Sequence, residues 1–113
     1  RYFAYWEEVD WCVRATRAGA GILHVPAAHA WHHISPAARE ASPLVHYYMT
    51  RNRLLFLRRA GLPLSAWVHV LLLEYARTLL SWTVRPKWRD KRPQRDAMLR
   101  ALADFGRGRF GRA

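Results

Sequence analysis

The chain has 113 residues, 51% of them hydrophobic, and a formal net charge of +11 from 19 basic and 8 acidic side chains. That length allows one domain with a modest core, and that apolar content excludes a disordered chain. The single cysteine, Cys12, excludes an internal disulfide framework and a multi-cysteine zinc site, so a reducing compartment is the simpler expectation.

The first predicted element is a helix over residues 7–18. Val9, Cys12 and Val13 fall at i, i+3 and i+4, half-apolar Thr16 follows at i+7, and Gly19 is placed to stop the helix. Residues 22–25, Ile-Leu-His-Val, read as a short strand ended by Pro26. Residues 29–33 read as a second short strand or an extended loop, and 34–41, with Ser35-Pro36, as loop. Ser42 as N-cap and Pro43 at the first helical position predict a helix to Arg59, stopped at Gly61-Leu62-Pro63. Its apolar mass is Val45, Tyr48, Met49, Leu55 and Phe56. Ser65 is placed to cap a third helix over 66–84, whose large members are Trp67, Val70, Leu71, Tyr75 and Trp82. A basic linker over 85–92 leads to a fourth helix over 93–105 and a Gly/Arg tail. The expected fold is α+β and mostly helical, with a front part over 1–41 and a helical, basic part over 42–113. The chain opens on Arg1-Tyr2-Phe3-Ala4-Tyr5-Trp6, without an initiator Met or signal peptide, and reads as a piece of a longer protein.

Charge divides along the same line. Residues 1–40 hold four Arg and four acids, whereas residues 85–113 hold ten basic residues against three acids. Anionic partners are therefore expected at the back, either lipid headgroups or nucleic acid. The longest apolar stretch, 62–84, is interrupted by His69, Glu74 and Arg77, which argues against a spanning helix and for one lying in the interface. Trp67, Trp82 and Trp88, with Arg85, Lys87 and Arg89, form the candidate membrane-binding set. Nucleic acid is the weaker partner class, because no helix-turn-helix, zinc-finger or RNP pattern is present.

The densest acidic cluster is Glu7-Glu8-Val9-Asp10, at the first turn of the first helix. Acids there compensate the helix dipole; the functional reading makes one of them a general base or metal ligand. His32 follows Glu8 by 24 residues, past a predicted strand and a proline turn, a course that returns the chain near its start. A zinc set of His29, His32, His33 and Cys12 has no standard spacing.

Taken in order, Phe3-Ala4-Tyr5-Trp6-Glu7-Glu8-Val9-Asp10-Trp11-Cys12-Val13-Arg14, Arg17-Ala18-Gly19, His24-Val25-Pro26 and Trp31-His32 resemble the last part of the catalytic domain of family 2 glycosyltransferases. The rhamnosyltransferase-like and galactofuranosyltransferase-like bacterial members are nearest. Tyr47-Tyr48-x-x-Arg51-Asn52-Arg53-Leu54-x-Phe56-Leu57-Arg58-Arg59 looks like the segment that follows in these enzymes, and residues 99–108 are similar to their basic C-terminal helix.

The resemblance implies the C-terminal end of a GT-A nucleotide-sugar transferase α/β fold, followed by amphipathic helices. It implies Glu8 as general base, with Glu7 and Asp10 as its catalytic neighbours, and His32 as a ligand of a divalent metal, magnesium or manganese. Glu stands at position 8 where the family pattern has Asp, which adds one methylene to its reach. The implied partners are a nucleotide-sugar donor and a glycan or lipid-linked acceptor, with the protein peripheral on the cytoplasmic face of the membrane, in cell-wall or surface-polysaccharide assembly. No Asp-x-Asp string and no Gly-rich phosphate loop occur in the chain. Without a nucleotide-binding half, the chain alone is expected to be inactive.

Overall fold

A computed structural model describes residues 1–31 and 42–113. Among them the secondary structure is entirely helical. Helix α1 spans Glu7–Arg17, α2 Pro43–Arg59, α3 Leu64–Val68, α4 Arg77–Val84 and α5 Arg92–Gly106. A π-helical stretch, His69–Ala76, joins α3 to α4, and a 3₁₀ stretch, Pro86–Lys91, joins α4 to α5.

Helix α2 is the axis of the fold. Ser42 starts it as expected: its hydroxyl accepts from the Val45 amide at 3.2 Å, with Pro43 in the first turn. Its end is a Schellman motif, in which Gly61 takes φ +63°, Gly61 N–H reaches Arg58 O at 3.3 Å and Leu62 N–H reaches Leu57 O at 3.1 Å. Leu62 then packs on the core beside Leu57. The same pattern at Gly19 stops α1, as the sequence predicts, and at Gly108 it stops α5.

Helix α2 buries residues around most of its circumference. Leu54 and Leu57 form one cluster with Val70, Tyr75 and Met98. Tyr47 and Tyr48 form another with Ala97 and Ala101 of α5, where the small side chains let the two helices approach closely. At about 25 cal/mol per Å² of apolar area, these two clusters are the main source of stability.

Three expectations change, and one open reading narrows. Residues 22–25 are irregular and exposed, because a strand needs a neighbour and the described residues supply none. Of the segment read as a second strand or an extended loop, residues 29–31 are irregular and exposed, as the loop reading has it, and 32–33 lie outside the described residues. Ser65 lies inside α3, whose N-cap is Pro63 in an extended conformation without a side-chain cap. The supposed linker is helical, with its internal kink at Trp88.

Helix α1 also departs from its predicted stripe. Val9 faces solvent, and the one fully buried residue of the helix is Asp10. Apolar packing therefore contributes little to holding α1, and polar anchors take its place.

Candidate functional site

The acidic cluster divides into one locked and two displayed carboxylates. Asp10 is 4% exposed. Its Oδ2 accepts from Arg14 Nε at 2.8 Å, its Oδ1 lies 3.3 Å from Arg59 Nε, and Tyr2 donates its hydroxyl to Oδ1 at 3.2 Å. Burial, with the Asp10 charge second, pushes the Tyr2 phenol up to about 12, so it stays a donor at neutral pH. Asp10 is thus an anchor between α1 and α2. Glu7 and Glu8 are exposed on the first turn and have no partner among the described residues.

The turn that presents them is strained. Tyr5 and Trp6 have φ of +65° and +71°, a left-handed conformation that costs side-chain-bearing residues roughly 1–2 kcal/mol each. Asn52, 0% exposed, is placed to hold that turn, since its Nδ2 donates to Ala4 O at 2.6 Å and to Tyr5 O at 3.3 Å. Trp6 stacks on Phe56 at 5.3 Å, with the Arg53 guanidinium 5.6 Å from its ring. Farther along α1, Arg17 donates to Ala60 O at 2.8 Å.

Beside Asn52, Arg51 ties the two ends of the chain together. It is 1% exposed and donates to Gly111 O at 2.6 Å, to the Tyr47 hydroxyl at 3.1 Å and to Asn52 Oδ1 at 3.1 Å. The Tyr47 hydroxyl passes its own proton donation to Asp104 at 2.8 Å, which places a carboxylate one step from the buried cation. Gly111 N–H in turn donates to Arg1 O at 2.9 Å. Sequence reasoning placed Arg51 and Asn52 in a resembling segment without giving them a role. The available signal was a polar pair set between the apolar runs of one helix.

A cleft of about 280 Å³ opens between α2 and the π-helical stretch, lined by Trp6, His46, Arg53, Glu74 and Tyr75 among others. Arg53 chelates Glu74 through both guanidinium nitrogens, and His69 Nε2 lies 3.1 Å from Glu74 Oε1. The Arg53 bond holds the Glu74 carboxyl below its ordinary range. Burial and nearby Lys91 lower His46, which keeps it neutral. Burial pushes Tyr75 up to about 12.

His32 and His33 lie outside the described residues. Among the described residues no group of three His, Cys, Asp or Glu side chains could hold a metal, and His29 is exposed while Cys12 is half-buried. No metal site is therefore assembled from the residues described here.

The candidate membrane set is rearranged. Trp67 and Trp82 turn inward onto the core: Trp67 lies 6.1 Å from the Phe105 ring, and Trp82 meets His46 edge-on at 5.5 Å. Arg85, Lys87 and Arg89 are exposed, and Lys87 Nζ sits 5.0 Å from the half-buried Trp88 ring. The outward apolar surface instead includes a row at intervals of four and eight residues, Leu64, Val68, Leu72, Leu80 and Val84, each 44–77% exposed, with Leu71 and Leu73 exposed beside it. Among the described residues no helix is long and apolar enough to cross a membrane. Searches with this sequence and structure found no matching family model, curated protein or solved structure.

Proposed function

We propose that this chain is the C-terminal, membrane-facing part of an inverting, metal-dependent glycosyltransferase of the GT-A type, with Glu8 as general base. The reading rests on the ordered motifs of residues 3–59 and on one structural observation: Glu8 is displayed without a partner on a braced turn, while Asp10 two residues on is locked in ion pairs. A base must be accessible and keep a free lone pair, and Glu8 is exposed and unpaired among the described residues, which supports the reading. It would take the proton of an acceptor hydroxyl as that oxygen attacks the anomeric carbon, with the nucleoside diphosphate leaving from the opposite face. Glu7 flanks it, and Asp10 acts by fixing the helix. The unpaired apolar segment 22–25 supports the same reading, because Ile22, Leu23 and Val25 suit a sheet contributed by other residues. The divalent metal belongs to the resemblance through His32, and no step is assigned to it.

The test uses a protein that joins this chain to a nucleotide-binding half. Glu8→Gln keeps shape and hydrogen bonding and should lower kcat by about 10²–10⁴-fold, with little change in donor KM. Near-normal turnover would remove Glu8 from the chemistry. A second reading, a non-catalytic basic module for membrane surfaces, is favoured by the exposed row on the 64–84 rod and the basic segment after it. Vesicle binding without sugar transfer by the joined protein would select it.

A further inference from the structure

We propose that the cleft where α4 meets the 3₁₀ stretch is a binding site for the exposed phosphomonoester of an anionic lipid headgroup. The proposal rests on the membrane-surface part of the reading above and adds a site and a ligand class to it. The cleft has a volume of about 230 Å³, and its walls include Trp82, Val84, Arg85, Arg89 and Arg92.

Three observations converge there. First, the arginines are free to bind an anion. Among the described residues none of the three is in an ion pair, and the acids of this region are engaged elsewhere: Asp90 with Lys91 at 3.8 Å, Asp96 with Arg95 at 2.7 Å, and Asp104 with Tyr47 at 2.8 Å. Three arginines without ion-pair partners line one small cleft, and their charge and donors suit a phosphate, which accepts bidentate hydrogen bonds from arginine.

Second, ordinary compensation of helix dipoles does not explain the cluster. Arg85 suits the C-terminal end of α4, where a cation is favourable. Arg92 does the opposite. It opens the 15-residue helix α5, which has no acid in its first turn and continues directly from the 3₁₀ stretch, whose Arg89 carbonyl accepts the Arg92 N–H. Dipole compensation therefore gives no reason for a cation at this position.

Third, the cleft continues the exposed apolar row. Val84 is the last member of that row and also part of the cleft wall. An apolar row ending in a cationic pocket is the pattern of a phospholipid, with acyl chains against Leu64–Val84 and the phosphate at the arginines. This continuity selects the lipid over a soluble phosphate compound.

The test is binding of the full chain to phosphatidylcholine vesicles doped with phosphatidic acid or with phosphatidylserine at matched surface charge. An exposed phosphomonoester should be preferred about tenfold, the equivalent of one additional charge-assisted hydrogen bond. The triple variant Arg85→Gln/Arg89→Gln/Arg92→Gln should bring that preference close to one. Arg107→Gln/Arg109→Gln/Arg112→Gln, which removes the same charge from the tail, should weaken both bindings and keep the preference. Arg92→Gln alone should reduce the preference, which covers the case in which the triple variant loses helix. No preference in the parent chain, or an unchanged preference in the cleft variants, would overturn the site and leave membrane attachment standing. No binding to any vesicle would overturn both. Binding of inorganic phosphate to the cleft without lipid preference would assign it to a soluble ligand and refute the lipid.

Discussion

The front and the back of this molecule are stabilised by different physics. The back, 42–113, buries two apolar clusters between α2, α5 and the rod over 64–84. The front, 1–31, buries one charged residue and is held by hydrogen bonds from Asn52 to Ala4 and Tyr5 and from Arg17 to Ala60, by the Arg59–Asp10 ion pair, and by the packing of Ala4, Tyr5 and Trp6. All of these partners sit on α2 or at its end. One helix thus serves as the spine of a core and as the mounting for a displayed acidic turn. The difference teaches that an exposed carboxylate can be held in place without being buried, provided that its neighbours carry the fixing contacts.

Breaking the back should produce the largest effect. Arg51→Met removes a buried cation and leaves the Tyr47 hydroxyl and Gly111 carbonyl without their donor, at a cost of about 3–5 kcal/mol in urea unfolding. Circular dichroism should show helix loss in front and back together. A loss below about 1 kcal/mol would mean that the ends of the chain are held by something other than Arg51.

Breaking the mounting should cost less. Asn52→Ala is expected to lose about 1–3 kcal/mol by orphaning the Ala4 carbonyl, with relaxation of the Tyr5–Trp6 strain offsetting part of it. In the joined enzyme it should lower kcat through misplacement of Glu8, and Asn52→Asp should not restore it because a carboxylate cannot donate.

Titration sharpens the comparison at its smallest scale. Tyr2 in the front and Tyr75 in the back are both raised from 10.0 to about 12. A phenol with a raised native pKa contributes stability below pH 10 that is lost as pH climbs toward 12. Stability should therefore fall over that window, and Tyr75→Phe and Tyr2→Phe should each flatten the fall to a similar extent. Glu74 runs the other way. Its lowered pKa gives stability present above about 4.5 and lost on acidification, and Glu74→Gln should remove that acid slope.

Much of the back was legible in the sequence, because its signals are local. Ser42-Pro43 and Gly61 act within a few residues of themselves, and their bonds form where the pattern puts them. The front was less legible. Val9 and Cys12 suggested an apolar stripe, yet α1 is held through Asp10, whose partners Tyr2 and Arg59 are 8 and 49 residues away. The 22–25 segment has the composition of a strand, but pairing depends on a neighbour that the local pattern does not contain. Trp67 and Trp82 looked like membrane anchors by type alone. Which face of the rod turns outward is decided by α2 and α5, and they claim both tryptophans and leave the leucines outside.

The central claim is that polar side chains of α2, above all Asn52, fix the acidic turn in addition to the packing of Ala4, Tyr5 and Trp6 on α2. Native-state hydrogen exchange of the parent chain and Asn52→Ala tests it most directly, because exchange resolves local opening from global unfolding. The account predicts that amides of α1 lose protection in the variant while those of α2 and α5 keep theirs. Equal loss across all three helices, or unchanged protection of α1, would contradict it.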